Sequence, residues 1–233
     1  MKYDNTATTE VIMSGYITAS LSCSNYFDIQ NVVEIIERAG VDYMHIDIMD
    51  GLFVANYGFS MNYVHELREH TSLPFDFHLM VKNPEHILSW LDIHEGDIVS
   101  VHYESTPDII GTLKLLRNYK CKVFVALNPE TPVSVIRELH SFIDGVTVLL
   151  VQPGFIGQRM VQGSLEKVRN LNTLISGYEE DIAIEVDGNV TYDHAKILKE
   201  YGAKYYVCGS SSIFGGGIEV LEARIHQFRM IIG

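Results

Sequence analysis

Along the chain, short apolar runs rich in β-branched residues alternate with longer stretches whose apolar positions recur every three or four residues. The first pattern is that of buried strands, the second that of amphipathic helices. Strands are predicted at Tyr16–Leu21, Tyr43–Met49, Phe75–Met80, Ile98–His102, Val123–Leu127, Gly145–Val151, Ile182–Val186 and Tyr205–Cys208. Helices are predicted at Asp28–Ala39, Met61–His70, Glu85–Ile93 behind Pro84, Asp108–Tyr119, after Pro132, and at Val161–Ile175, Tyr192–Tyr201 and Ile218–Ile231. Eight strand-then-helix units point to an α/β chain folded as a single (β/α)₈ TIM barrel rather than an open doubly wound sheet. Residues 15–233 make up this one domain. Met1 to Ser14 are mostly polar, carry no apolar run of signal-peptide length, and read as an N-terminal extension.

In such a barrel the working face lies at the C-terminal ends of the strands. The residues that end the predicted strands are therefore the candidates: Ser20, His45, Asp47, Met49, His78, Met80, His102, Asn128, Gln152, Asp187 and Gly209. His45 and Asp47 lie two apart on one strand and so share a face. With His78 and Asp187 they make a His–Asp–His–Asp set on three strand ends. Two imidazoles and two carboxylates suit one divalent ion: zinc, with manganese, iron or cobalt as alternatives. His102 is either pocket lining or a structural hydrogen-bonding residue.

Glycine-rich turns follow the later strands. They are Pro153-Gly154-Phe155-Ile156-Gly157-Gln158, Gly188-Asn189, and Gly209-Ser210-Ser211-Ser212 with a short helical turn expected at Ile213–Phe214. Backbone N–H groups in such turns bind phosphate. A metal beside a carbonyl lowers the cost of an enediolate. Carboxylates on different strand ends could add and remove a proton. These parts suit an epimerase or isomerase of a keto-sugar phosphate, though metal-assisted hydrolysis or aldol cleavage would need similar ones. A Schiff-base aldolase would need a strand-end lysine, and Lys82, Lys122 and Lys204 all lie elsewhere.

Composition narrows the partners. The 233 residues carry a net charge of −13, which argues against nucleic acid. No apolar run approaches the roughly 18 residues of a membrane span. Three widely spaced cysteines, Cys23, Cys121 and Cys208, fit a reducing compartment, the cytoplasm, with Cys23 read as a packing residue.

From about residue 17 to 231 the chain resembles the ribulose-phosphate 3-epimerase family. The resemblance rests on Ala19-Ser20-Leu21, His45-Ile46-Asp47-Ile48-Met49-Asp50-Gly51, His78-Leu79-Met80 and Leu127-Asn128-Pro129-Glu130-Thr131-Pro132. It continues through Pro153–Gln158, Glu185-Val186-Asp187-Gly188 and Gly209-Ser210-Ser211. It implies a metal-dependent isomerase that interconverts D-ribulose 5-phosphate and D-xylulose 5-phosphate. His45, Asp47, His78 and Asp187 would be metal ligands, and Asp47 and Asp187 the acid–base pair acting at C3 through a cis-enediolate. Ser20 would bind substrate, as would His78; Met49 and Met80 would line the intermediate. Gly154, Phe155, Gly157, Gln158, Gly188, Asn189, Gly209 and Ser210 would hold the phosphate end. A homo-oligomer is implied as well.

The chain departs from the family pattern at several places. Thr18-Ala19 stands for the usual Ser-Pro, Asn25 for an aspartate, Leu52 and Ala55 for the His and Pro after Asp50-Gly51. Leu149 replaces a methionine, and Ile156 and Asn189 replace glycines. No ligand or proton carrier is lost, so the reaction class stands. Because the altered positions shape the pocket wall, a D-allulose-6-phosphate 3-epimerase is the alternative, and a non-catalytic sugar-phosphate-binding barrel the alternative of another class.

Overall fold

The computed structural model describes residues 15–233. The expected N-terminal extension, Met1 to Ser14, lies outside the described residues. Eight parallel strands close in sequence order into a barrel, the last pairing with the first. They are β1 (Tyr16–Ser20), β2 (Tyr43–Met49), β3 (Phe75–Met80), β4 (Ile98–His102), β5 (Lys122–Leu127), β6 (Gly145–Leu149), β7 (Ala183–Asp187) and β8 (Tyr205–Cys208). Six of the eight strands are followed by an α-helix: α1 (Ile29–Arg38), α2 (Met61–Glu69), α3 (Ile109–Leu116), α4 (Ser164–Ile175), α5 (Tyr192–Glu200) and α6 (Ile218–Ile232).

The connections after β3 and β5 correct the sequence reading. The segment expected as a helix at Glu85–Ile93 forms two 3₁₀ turns, Pro84–His86 and Leu88–Trp90. The segment after Pro132 forms 3₁₀ turns at Val133–Glu138 and His140–Phe142. Neither opens on a side chain that caps its first amides: Asn83 is turned to a left-handed φ of 49°, and Pro132 has no capping side chain. In both, amides bond back three residues, as His86 to Asn83 and Leu139 to Ile136, which is the tighter i→i+3 pattern. Ile213–Phe214 lies in a turn rather than a helix. Two boundaries shorten: β6 stops at Leu149, and α4 starts only at Ser164, after Gly163 at φ 88°.

Alternation along each strand sorts two interiors. Outward side chains such as Met44, Ile46 and Ile48 of β2 and Phe75, Phe77 and Leu79 of β3 pack against the helices in one large apolar core. The barrel's own floor is aromatic: Tyr43, Ile98, Phe124 and Tyr205 cluster there with Tyr16 and Ala183. Lys122 Nζ closes this floor, donating to the Tyr43 and Tyr205 hydroxyls at 2.7 and 3.0 Å. Gly145 is required beside it, since a Cβ there would meet the Phe124 ring at 2.4 Å. Above the floor the filling turns polar: Thr18, His45, Asp76, Ser100, Thr147 and Glu185 are all buried inside the barrel. Such a layer is costly unless its members bond to one another or to a ligand.

Candidate active site

The polar layer leads up to a pocket of about 330 Å³ at the C-terminal mouth. Strand register builds its base. Asp47 of β2 is paired with His78 of β3, Met49 with Met80, and Leu149 of β6 with Asp187 of β7. His45 Nε2 lies 3.3 Å from Asp47 Oδ1, and His78 Nδ1 lies 3.3 Å from the same oxygen and 3.5 Å from Asp187 Oδ2. His45, His78 and Asp187 each present a ligand atom with all three within 4.8 Å.

Those separations match a metal cradle. Ligand atoms about 2.0–2.1 Å from a tetrahedral zinc are about 3.3 Å from each other. His45 Nε2 and His78 Nδ1 are also buried and without a hydrogen-bond partner. Buried nitrogens left facing carboxylates need a proton or a cation. His45, His78 and Asp187 could hold a divalent ion, with Asp47 Oδ1 3.3 Å from a nitrogen of each imidazole.

Each imidazole has a group behind it. Asp76 Oδ2 sits 2.6 Å from His45 Nδ1, which puts the proton on Nδ1 and leaves Nε2 as a lone pair. Asp76 is wholly buried, with Glu185 nearby; Glu185 in turn accepts from Thr147 Oγ1 at 2.7 Å, and Thr147 meets Ser100 Oγ at 2.8 Å. Behind His78, its Nε2 lies 2.8 Å from His102 Nε2. His102 is thus a bonding partner of a candidate ligand, fully buried beneath the pocket and not part of its lining.

The two carboxylates differ electrostatically. Burial pushes the Asp47 carboxyl up, but the imidazoles of His45 and His78 outweigh it and hold it well below the ordinary carboxylate range. Burial raises Asp187, the imidazoles oppose this, and the charge on Asp47 adds to the rise. His45 is drawn well above its usual value because Asp76 and Asp47 overcome its burial. The same negative field that would hold a proton there attracts a cation. Two carboxylates with diverging environments are the arrangement in which one takes a proton while the other gives one.

Every candidate substrate residue reaches this pocket: Ser20, Met49, His78, Met80, Gly154, Phe155, Gly157, Gln158, Gly188, Asn189, Gly209 and Ser210 line it. Ser20 Oγ stands 3.5 Å from Asp47 Oδ2. The glycine turns converge on one side. At Gly188 a φ of 103° is combined with Val151 so close that a Cβ would lie 2.4 Å from its methyl. Asn189, in the place of a second glycine, holds a φ of 52° and ties the turns together by donating to the Gln158 carbonyl at 2.6 Å. Departures from the family pattern also map here: Leu149 and Ile156 line the pocket, and Leu52 stands exposed on the loop after β2.

Several residues of the site were not legible in the sequence. Cys23, read as packing, faces the pocket, and all three cysteines are free thiols. Tyr26, Asn56, Tyr57, Gly58 and Phe59 form one wall. The loop that carries most of them is stapled by Asp50, whose carboxylate accepts from Leu52, Phe53 and Lys82 amides at 2.8 Å each. Asn56 reaches across to the Gly154 carbonyl at 2.7 Å. A signal for Asp76 did exist: it is a charged residue two positions before His78, on the same face of an otherwise apolar strand.

A closed (β/α)₈ barrel whose mouth sets paired carboxylates among imidazoles has the groups that acid–base chemistry on a small substrate requires. Solved structures of this architecture superpose well: a mutant tryptophan synthase α-subunit from Pyrococcus furiosus at a TM-score of 0.65 over 94% of this chain and 98% of that one, and a 3-hexulose-6-phosphate synthase at 0.62 over 95% and 100%. Both are 16% identical and speak to fold alone. The ribulose-phosphate 3 epimerase family model matches residues 16–214. The ribulose-phosphate 3-epimerase of Bacillus subtilis (strain 168) is 34% identical over 84% of this chain and 90% of its own length. The chloroplastic ribulose-5-phosphate-3-epimerase of Arabidopsis thaliana is 36% identical over 85% and 71%. The chain belongs to the ribulose-phosphate 3-epimerase family.

Proposed function

We propose that the protein interconverts D-ribulose 5-phosphate and D-xylulose 5-phosphate by taking a proton from C3 and returning it to the other face. The protein is an isomerase of its family; the observation that carries the residue assignment is the placing of Asp47 and Asp187, on two different strands, against one buried imidazole. In each direction one aspartate accepts the C3 proton and the other delivers one, so the enediolate between them is reprotonated with inverted configuration. Met49 and Met80 wall the planar intermediate with apolar, adaptable side chains. The glycine turns after β6, β7 and β8 hold the phosphate through backbone N–H groups, and Ser20 orients the sugar next to Asp47. His45, Asp47, His78 and Asp187 would hold a divalent metal, zinc first, with manganese, iron or cobalt also suited to the donors. When bound, that ion stabilises negative charge developing on the oxygens next to C3.

Among the described residues no helix is long and apolar enough to cross a membrane. The test of the reading is proton exchange in heavy water with ribulose 5-phosphate and allulose 6-phosphate in parallel. Deuterium entering C3 of ribulose 5-phosphate together with epimer formation, at the higher kcat/KM of the two sugars, is the expected result. Preferred exchange into allulose 6-phosphate would refute the pentulose assignment, and exchange into neither would refute the epimerase reading.

A further inference from the structure

The block Leu127–Pro132 after β5 leaves the substrate pocket untouched, yet its amide and hydroxyl groups close on one carboxylate. Asn128 N donates to Glu104 Oε1 at 3.0 Å, and Thr131 Oγ1 donates to the same oxygen. Lys167 of α4 pins the block from outside, its Nζ 2.5 Å from the Asn128 carbonyl oxygen. Two donors on Oε1 leave Oε2 of Glu104 buried without a hydrogen-bond partner, 3.4 Å from His102 Nδ1, which has none either. His102 Nε2 is then 2.8 Å from His78 Nε2, the two rings lying nearly parallel at 21°. Phe53 packs against His102, its ring centre 4.7 Å off.

A neutral imidazole carries one proton, on one nitrogen or the other. A lone pair on His102 Nδ1 facing the Glu104 carboxylate would be repelled, so the proton belongs on Nδ1. His102 Nε2 is then an acceptor, and the proton in the 2.8 Å bond must come from His78 Nε2. That leaves His78 Nδ1 as a lone pair directed between Asp47 and Asp187. We propose that Glu104 and His102 are positioning residues that set the tautomer of His78, with Asn128 and Thr131 holding Glu104 to the task. The inference rests on the reading of His78 as a metal ligand. It gives the block after β5 a purpose that contact with substrate does not, and it does for His78 what Asp76 does for His45.

An isosteric change inverts the relay. In Glu104→Gln the amide oxygen keeps the two donors from Asn128 and Thr131, so the NH₂ group takes the place of Oε2 and donates towards His102 Nδ1. His102 must then carry its proton on Nε2, His78 must accept there, and His78 Nδ1 becomes an N–H that cannot ligate. Glu104→Ala only removes the preference. The experiment titrates Zn²⁺-loaded full-length protein with a chromophoric chelator, and follows thermal unfolding alongside. Loss of an outer-shell partner lowers metal affinity about 10–100-fold, and that loss is expected for Glu104→Gln, with only a few-fold loss for Glu104→Ala. Thermal stability should run the other way, Ala below Gln, because Ala strands the donors of Asn128 and Thr131. A merely structural Glu104 would make Ala worse in both. Equal affinities, or a greater affinity loss in Ala than in Gln, would overturn the tautomer relay while leaving the metal site standing. A wild-type protein that takes up no Zn²⁺ would overturn the metal reading and the relay with it.

Discussion

Gly58 offers the sharpest quantitative check on how the site is positioned. After β2 the chain runs out through the loop at Asp50, bridges back at Tyr57, and returns beside the strand end it has just left. Gly58 N bonds the Met49 carbonyl at 3.4 Å and Phe59 N bonds the Asp47 carbonyl at 3.2 Å. A Cβ on residue 58 would stand 2.2 Å from Asp47 O and 2.7 Å from Met49 N, both backbone atoms. Ordinary contact begins at 3.4 Å, so the two segments must part by about 1.2 Å. β2 cannot yield without breaking its register with β3, which pairs Asp47 to His78. Either Asp47 moves, or the wall of Tyr57, Gly58 and Phe59 moves with the bonds that tie it to β2.

A displacement of about 1 Å at a catalytic group costs on the order of 100-fold in rate. Overpacking of this kind costs about 1–3 kcal/mol of stability. For a domain of this size that is about 2–12 °C in Tm. Gly58→Ala is therefore expected to lower kcat/KM for ribulose 5-phosphate about 100-fold while the protein still folds. The control is Gly177→Ala, where the added methyl would lie 3.6 Å from its nearest neighbour and no loss is expected. A coupled epimerase assay and a thermal melt decide the matter. Wild-type kcat/KM in Gly58→Ala would show that the base of the pocket does not depend on this close approach.

Other outcomes follow from the same geometry. Asp47→Asn and Asp187→Asn should each lower kcat by at least about 10²–10⁴, the usual worth of a general acid or base, with circular dichroism unchanged; near-normal turnover in either would sink the two-carboxylate scheme. Exhaustive chelation should abolish activity and added divalent metal restore it, and full activity in protein shown to be metal-free by elemental analysis would contradict the cradle. Asp97 is buried and binds Arg68 at 2.6 Å together with the amides of Phe75 and His94. Arg68→Met should accordingly cost about 3–5 kcal/mol in urea unfolding, and a change below about 1 kcal/mol would show the pair to be dispensable. Lys167 is pushed down to about 8 by burial, against the pull of Glu104 and Glu130. Between that value and 10.5 the unfolded chain holds a proton the native one has lost, so stability contributed by this group rises with pH across the window. The difference in urea midpoint between wild type and Lys167→Met should therefore shift in favour of wild type from about pH 7.5 to about pH 10; a difference that is flat with pH would refute it.

Periodicity alone determined the number, order and type of the strands. Each is a short, mainly apolar run, a local signal that survives without knowledge of neighbours. That Ser20, His45, Asp47, His78 and Asp187 would gather at one mouth was legible too: a charged or polar side chain at the end of an apolar strand is conspicuous, and a barrel's strands all end on one face. The two crossovers that became 3₁₀ turns were not legible, because their apolar spacing suits either kind of helix. Tertiary structure alone decided which residues stand behind the ligands. Asp76 meets His45, His102 meets His78 and Glu104 meets Thr131 because neighbouring strands lie in parallel register. Contacts across 24 to 31 positions of chain leave no periodic trace in a sequence. They exist once parallel pairing sets each strand beside its neighbour and turns their inward side chains towards one another.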